Sequence, residues 1–250
     1  MPLERLNRRK SGRLTIGEAE RIAGVLGRTS KMPGASYGLS AFLCKRGSVM
    51  AEVPGSICAS CYARSDWYAT WRPLHVGQGR RQVGLDHPQW EDAMVVLIEH
   101  YTTAAVPYFR IHDAGDFQSV EHFARWCRVC ARVPRVRFWA PTREYEMVRD
   151  YLGAGGVIPP NLVVRLSALM IDAEPPRQLD GVPLKPGEIV IPPELYHLPT
   201  STVHTAAGGT MPLEGKGTVE CRAVEKRANK CGECRACWNP RVANVSYPEH

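Results

Sequence analysis

Three cysteines near the C-terminus have a spacing that is typical of a metal site. They form the run Cys231-x2-Cys234-x2-Cys237, with Cys221 ten residues upstream, and Gly232 allows a tight loop between the first two thiols. Structural zinc sites usually take their thiolates from separated C-x2-C pairs. A third cysteine after two more residues is typical of cubane iron–sulfur proteins. The run therefore predicts an iron–sulfur cluster, with zinc as the alternative and a disulfide as the weaker one.

A second C-x2-C pair lies in the first third of the chain. It consists of Cys58 and Cys61, and Tyr62 follows it directly. A lone pair of this kind fits zinc, redox and cluster roles alike. Cys44 is the nearest cysteine before the pair and is the natural third ligand by order. Cys127 and Cys130 also have this spacing, but they share the apolar face of a predicted helix, which favours core thiols.

Polar side chains follow several predicted strands at the point where each strand ends. They are His112, Asp113, Gly115 and Asp116 after one strand, Thr142 and Arg143 after the next, then Ser167, then His204. In parallel sheets, functional groups gather at the carboxyl ends of the strands. These residues predict a ligand site there, although strand ends that only meet solvent are polar as well. Arg110 and Arg165 lie within strands and, if buried, each needs an anion.

Strands that alternate with helices must position these residues. Apolar patterns predict strands near 106–112, 136–140 and 161–166, and helices over 88–101, 119–132 and 144–152. Further strands are predicted at 188–191 and 201–204. Such alternation implies β-α-β crossovers and therefore an α/β fold with a parallel sheet. We divide the chain into a basic N-terminal extension with a short helix (1–27), a core (28–220) and a cysteine-rich segment that packs on it (221–250).

Composition narrows the class of protein. The chain has 250 residues, 44% of them apolar and 23% charged, with nine cysteines and a net charge of +7. No apolar run reaches the length of a membrane span, and the N-terminus lacks the apolar core of a signal peptide. We therefore expect a cytoplasmic protein without a membrane partner, in which cysteines bind metal rather than pair. The positive charge permits a nucleic acid or another anionic ligand.

The order of these motifs resembles a known family. The chain carries Cys-Ala-Ser-Cys-Tyr-Ala at 58–63, Arg-Ile-His-Asp-Ala-Gly-Asp-Phe at 110–117, Thr-Arg at 142–143 and then the C-terminal cysteine run. Over about residues 28–240 this order resembles the phage family "gene product eighty-eight". That family is distantly similar to radical S-adenosylmethionine (AdoMet) proteins. The resemblance implies a partial parallel β/α barrel, an iron–sulfur cluster and a place in the interior of the host cell.

The resemblance also implies roles for individual residues. Gly115 and Asp116 would hold the amino group of AdoMet, and Arg143 and Ser167 its carboxylate; His112 belongs to the same cofactor-binding set. In radical AdoMet enzymes an aromatic residue commonly precedes the last cysteine of a C-x3-C-x2-C loop. Here Tyr62 follows the last cysteine, and Cys44 would replace the first ligand.

Seven cysteines fit one or two 4Fe–4S clusters. An open cluster would use Cys44, Cys58 and Cys61, and a closed one would use Cys221, Cys231, Cys234 and Cys237. The same thiols could also converge on one cluster.

Three functions remain open at this point. The first is a radical AdoMet enzyme that modifies a nucleotide, nucleic acid or peptide and receives electrons from a reductant protein. The second is a non-catalytic iron–sulfur protein that senses redox state or binds nucleic acid, favoured by the arginines of 125–132 and the basic residues of 222–230. The third is a structural zinc protein.

Overall fold

The computed structural model describes residues 13–177, 188–205, 211–223 and 230–249. The basic terminus 1–12, part of the proline-rich stretch and most of the basic segment 222–230 lie outside the described residues.

A seven-stranded parallel sheet forms the centre of the molecule. Its strands are β1 (Ala35–Tyr37), β2 (Tyr108–Ile111), β3 (Arg137–Thr142), β4 (Leu162–Ser167), β5 (Thr200–His204), β6 (Thr218–Glu220) and β7 (Asn244–Pro248). They lie in the order β1-β2-β3-β4-β5-β7-β6, and each neighbouring pair is parallel. The predicted α/β fold with a parallel sheet is therefore confirmed.

Seven α-helices accompany the sheet in the described part of the chain. They are α1 (Ile16–Ala23), α2 (Lys45–Met50), α3 (Asp66–Thr70), α4 (Arg72–Gly84), α5 (Trp90–Tyr101), α6 (Val120–Arg132) and α7 (Tyr145–Gly153). Helix α1 packs on α5, α5 on α6 and α6 on α7. Ser119 caps α6 by accepting a hydrogen bond from the N–H of His122, and Thr15 forms a capping box at α1.

The two faces of strands β2 to β4 have different roles because alternate side chains point to opposite sides. Phe109, Phe138 and Val164 belong to the apolar core that the helices share. Arg110 and Trp139, from the other set, line a large cavity. Cys127 and Cys130 lie in the core, 2% and 0% exposed, as their helical spacing predicts.

Several sequence-based element predictions were wrong. The predicted strand at 188–191 is only an isolated bridge between Ile191 and Arg177. The predicted short helix of the N-terminal extension is α1, which ends at Ala23 with Gly24 as its C-cap. Strands β1, β6 and β7 and helix α4 were not predicted. No helix among the described residues is long and apolar enough to cross a membrane.

The division into three segments stays a prediction. Ala19 and Ala23 of the first segment lie in the main core. The last segment contributes β7, which lies between β5 and β6.

Candidate metal centre

A cavity of about 1520 Å³ opens at the carboxyl end of the sheet. Its wall includes residues from the ends of four strands: His112 after β2, Arg143 after β3, Ser167 at the end of β4 and Glu249 after β7. Six thiols also line it: Cys44, Cys58, Cys61, Cys221, Cys231 and Cys237. The cavity therefore brings together most of the predicted strand-end residues and six of the seven predicted ligand cysteines. Thr142, His204 and Cys234 are not part of its lining, and the Nδ1 of His204 lies 2.8 Å from the hydroxyl of Ser246 instead.

Cys44, Cys58 and Cys61, here the N-terminal thiol group, meet on one side of the cavity. Cys44 immediately precedes α2, and Gly47 lies one helical turn further on. A Cβ atom on Gly47 would lie 2.8 Å from the Cβ of Cys44, 3.5 Å from its Sγ and 3.7 Å from the Sγ of Cys58. The absence of a side chain at Gly47 thus leaves room beside two sulfurs that are far apart in sequence.

Burial and neighbouring charge keep the thiols of Cys44 and Cys58 protonated. Burial is the main cause that raises the pKa of Cys44 and Cys58, and the neighbouring thiols and Asp116 raise it further. The guanidinium of Arg143 acts in the opposite direction on both pKa values. Thiolates at this place would therefore need more positive charge than Arg143 supplies, and a metal cation provides such charge.

Cys221, Cys231, Cys234 and Cys237, here the C-terminal thiol group, also come together. Cys221 follows β6, and its N–H donates to the carbonyl of Ser246 at 2.7 Å. The N–H of Cys234 donates to the carbonyl of Cys231 at 3.0 Å, and the intervening Gly232 has a φ of 55°. Burial is the main cause that raises the pKa of Cys221 and Cys231, and that of Cys237 to about 12. Charge on neighbouring thiols of the group raises all three pKa values further.

Arg165 on β4 holds the loop that carries Cys237. Its side chain is fully buried and donates to five backbone carbonyls, at distances of 2.8–3.2 Å. The acceptors are Thr200, Ala236, Cys237, Asn239 and Val242. The expectation that a buried Arg165 needs an anion was wrong, because these carbonyl dipoles satisfy the guanidinium.

The Gly115–Asp116 turn is a structural junction as well as a candidate ligand site. Gly115 has a φ of 79°, and a Cβ there would lie 2.7 Å from the Cβ of Leu39. Asp116 accepts hydrogen bonds from the N–H of Phe117 (2.8 Å), the hydroxyl of Thr142 (2.7 Å) and the N–H of Arg143 (2.9 Å). Burial nevertheless raises its pKa. Asp116 thus ties the end of β3 to the loop after β2.

The other predicted cofactor-binding residues lie on the same wall. The Nε of Arg143 donates to the carbonyl of Ala168 at 3.0 Å, and the hydroxyls of Ser167 and Ser201 are 3.0 Å apart. His112 is 1% exposed with a φ of 58°, and neither ring nitrogen has a hydrogen-bond partner among the described residues. Burial lowers its pKa well below the usual value, so the imidazole is neutral.

No group of three or more His, Cys, Asp or Glu side chains in the described ranges is arranged to hold a metal ion. All nine cysteines are free thiols. Both the iron–sulfur and the zinc interpretation therefore stay predictions.

Two residues of the site escaped the sequence-based reasoning. In the sequence, Gly47 is recognisable only as a glycine three positions after the candidate ligand Cys44, and its importance becomes clear only from the structure. The sequence predicted that Trp139 lies in a strand. Only the register of the sheet shows that its side chain faces the cavity. Its buried Nε1 has no partner among the described residues.

The fold and the cavity define an α/β protein with two groups of thiols at the carboxyl end of a parallel sheet. Residues 2–240 match the family described as Gene product 88. The chain belongs to this family, which confirms that part of the resemblance. Searches of curated proteins and of solved structures gave no significant match.

Proposed function

We propose that this protein is an iron–sulfur enzyme of the radical AdoMet type that modifies its substrate inside the cavity. Cys44, Cys58 and Cys61 would hold a 4Fe–4S cluster with one iron free of protein ligands, and the C-terminal thiol group would hold a second cluster. The observation that carries the proposal is the meeting of the N-terminal thiols at the cavity wall, although Cys44 is distant from the C-x2-C pair in sequence.

The types of residue present suit such a cluster. Thiolates are the usual protein ligands of a 4Fe–4S cluster, and the space beside Gly47 borders two of the three sulfurs. In a cubane the thiolates bind different iron atoms, so three thiols leave one iron open. A cluster of this kind, once reduced, supplies the electron that cleaves AdoMet.

The chain's own polar groups suit the methionine part of AdoMet. The guanidinium of Arg143 retains donors beyond its bond to Ala168 and would bind the carboxylate, with the hydroxyl of Ser167 beside it. One oxygen of Asp116 accepts a single hydrogen bond, from the N–H of Arg143, so it can accept another from the amino group. The imidazole of His112 packs against the rings of Phe117, His122 and Trp126, so its role would be to shape the wall rather than to contact AdoMet.

The test is AdoMet cleavage by anaerobically purified, dithionite-reduced protein, followed by mass spectrometry of the products. We expect reductive cleavage that Cys58→Ala abolishes. Cys127→Ala, which removes a core thiol, is the matched control and should retain cleavage. An intact, reducible cluster without AdoMet cleavage would contradict the enzyme and favour the non-catalytic iron–sulfur protein.

A further inference from the structure

Positive charge dominates the lining of the cavity. Eight cationic side chains and only three acidic ones line it. The cations are Arg28, Lys31, Arg64, Arg72, Arg80, Arg81, Arg110 and Arg143, and the acids are Asp113, Asp116 and Glu249. Such an excess in a concave site attracts anions.

These cations differ from the arginines elsewhere on the protein. On α6, Arg125 and Arg128 pair with Glu91, and Arg132 pairs with Asp92. Those ion pairs account for the arginine-rich helix that sequence analysis associated with nucleic acid. Among the described residues, none of the eight cavity cations forms an ion pair with a carboxylate. Within the described residues, no paired carboxylate therefore offsets their positive charge.

Some of the cavity cations lie close to the thiols, and others lie away from them. Arg143 lies near enough to Cys44 to lower its pKa, and Arg110 does the same for Cys237. These two arginines offset the negative charge of thiolates inside the cavity. Arg28, Arg72 and Arg80 line the cavity but are exposed. They therefore lie where the cavity opens to solvent and face whatever enters it.

Aromatic rings lie beside the cations both at the opening of the cavity and deeper in its wall. Trp71 directly precedes Arg72, lines the cavity and is 42% exposed. Deeper in the wall, the ring of Trp139 lies under the guanidinium of Arg110, 4.6 Å from it. Cations interleaved with aromatic rings are typical of sites that bind phosphates and stack bases.

We propose that the substrate is a single-stranded nucleic acid. Its phosphates bind Arg28, Arg72 and Arg80 at the opening, and one base stacks on Trp71 while the next enters the cavity. A base inside a duplex stays paired and stacked, whereas an unpaired base is free to enter the cavity. An acidic peptide would match the charge but supplies no base to stack on the exposed ring of Trp71. The substrate class rests on the proposed function; the binding itself does not.

The probe is a fluorescein-labelled single-stranded DNA of about 15 nucleotides, close to the longest site sizes of proteins that bind single strands. Fluorescence anisotropy measures its affinity for the full-length protein over a range of salt concentrations. We expect Arg72→Gln with Arg80→Gln to weaken binding by about tenfold or more. The pair should also reduce the slope of log affinity against log salt by about 1.4, since each lost phosphate contact in a single strand contributes about 0.7.

The matched control is Arg132→Gln with Arg149→Gln, two exposed arginines outside the cavity lining. It removes the same charge and should leave both affinity and slope unchanged. Trp71→Ala should weaken binding about tenfold. Circular dichroism of each variant confirms that the helices persist. Equal losses in the cavity and control variants would overturn the proposal, because binding would then reflect net charge alone.

Competition with unlabelled ligands identifies the class of molecule whose phosphates and bases the protein binds. We expect unlabelled single strand to displace the probe at far lower concentration than the matching duplex, adenosine monophosphate or poly-glutamate. Poly-glutamate that competes as well as the single strand would overturn the proposal in favour of an acidic peptide. Equal competition by adenosine monophosphate would overturn it in favour of a free nucleotide, and equal competition by duplex would also overturn it.

The two proposals fail separately. If the protein cleaves AdoMet but does not bind DNA, only the proposed substrate class is overturned. If the protein binds DNA in a salt-sensitive way but does not cleave AdoMet, only the proposed enzymatic activity is overturned.

Discussion

Gly47 shows how one missing side chain can shape a site. It lies on α2 beside the sulfurs of Cys44 and Cys58, and a Cβ atom would come 2.8 Å from the Cβ of Cys44. Real Cβ atoms do not approach each other so closely without a shift of the chain. The glycine therefore allows Cys44 to pack closely on α2 beside the sulfur of Cys58.

Gly47→Ala should lower the iron content of the anaerobically purified protein by about half or more, because the added methyl displaces Cys44. Iron and protein assays on the same samples measure the effect. Gly79→Ala is the matched control: this glycine lies on α4 with nothing within 4 Å of a Cβ, so alanine should keep the iron. Full iron loading in Gly47→Ala would contradict the assignment of the cluster to this place.

At the scale of elements, β4 supports the C-terminal thiol group through Arg165. The guanidinium reaches carbonyls of three segments: the start of β5, the turn around Cys237 and the chain before β7. One side chain thus fixes the loop of Cys237 against the sheet. A planar group with five donors suits several acceptors, and a lysine would not replace it.

Arg165→Met should lower the free energy of unfolding by about 3–5 kcal/mol, because the buried carbonyls lose their donor. Urea denaturation measures this loss. Arg137→Met on the neighbouring strand is the matched control, since Arg137 is exposed, and its effect should stay below about 0.5 kcal/mol. Equal stability of the two variants would contradict the anchoring role of Arg165.

The elements that could be predicted from sequence are those with a clear local pattern. Helix α6 combines the cap Ser119 with apolar residues at helical spacing, and β2 to β4 are apolar runs that end in polar turns. Helix α4 contains three glycines and shows no apolar stripe, so only tertiary contacts explain it. One such contact is the close packing of Gly84 on the carbonyl of Ile22, 2.2 Å from where a Cβ would stand. Strands β1 and β6 have three residues each, too few for a period.

The candidate site was only partly predictable, because some of its features have local sequence patterns and others arise from tertiary packing. Cysteine spacing and the order of strand ends are local signals, and they named thiols and polar residues that do line the cavity. The partners of Arg165 depend on how distant segments pack. The same holds for the space beside Gly47, because it exists only once Cys58 has folded against α2.

At the scale of the whole molecule, the cysteine-rich segment near the C-terminus packs against segments from the first half of the chain. The N–H of Cys231 donates to the carbonyl of Lys31 at 2.8 Å, and the indole N–H of Trp238 donates to the carbonyl of Phe109 at 2.9 Å. Strand β7 then inserts between β5 and β6. This arrangement lets thiols from residues 44–61 and 221–237 share a cavity.

The central claim is that these thiols hold iron and sulfide, and metal and sulfide analysis of the anaerobically purified protein tests it most directly. We predict about four iron atoms and about four sulfides for each cluster, with the visible absorption of iron–thiolate centres. A colourless protein with stoichiometric zinc, or with its thiols oxidised in pairs, would contradict the account.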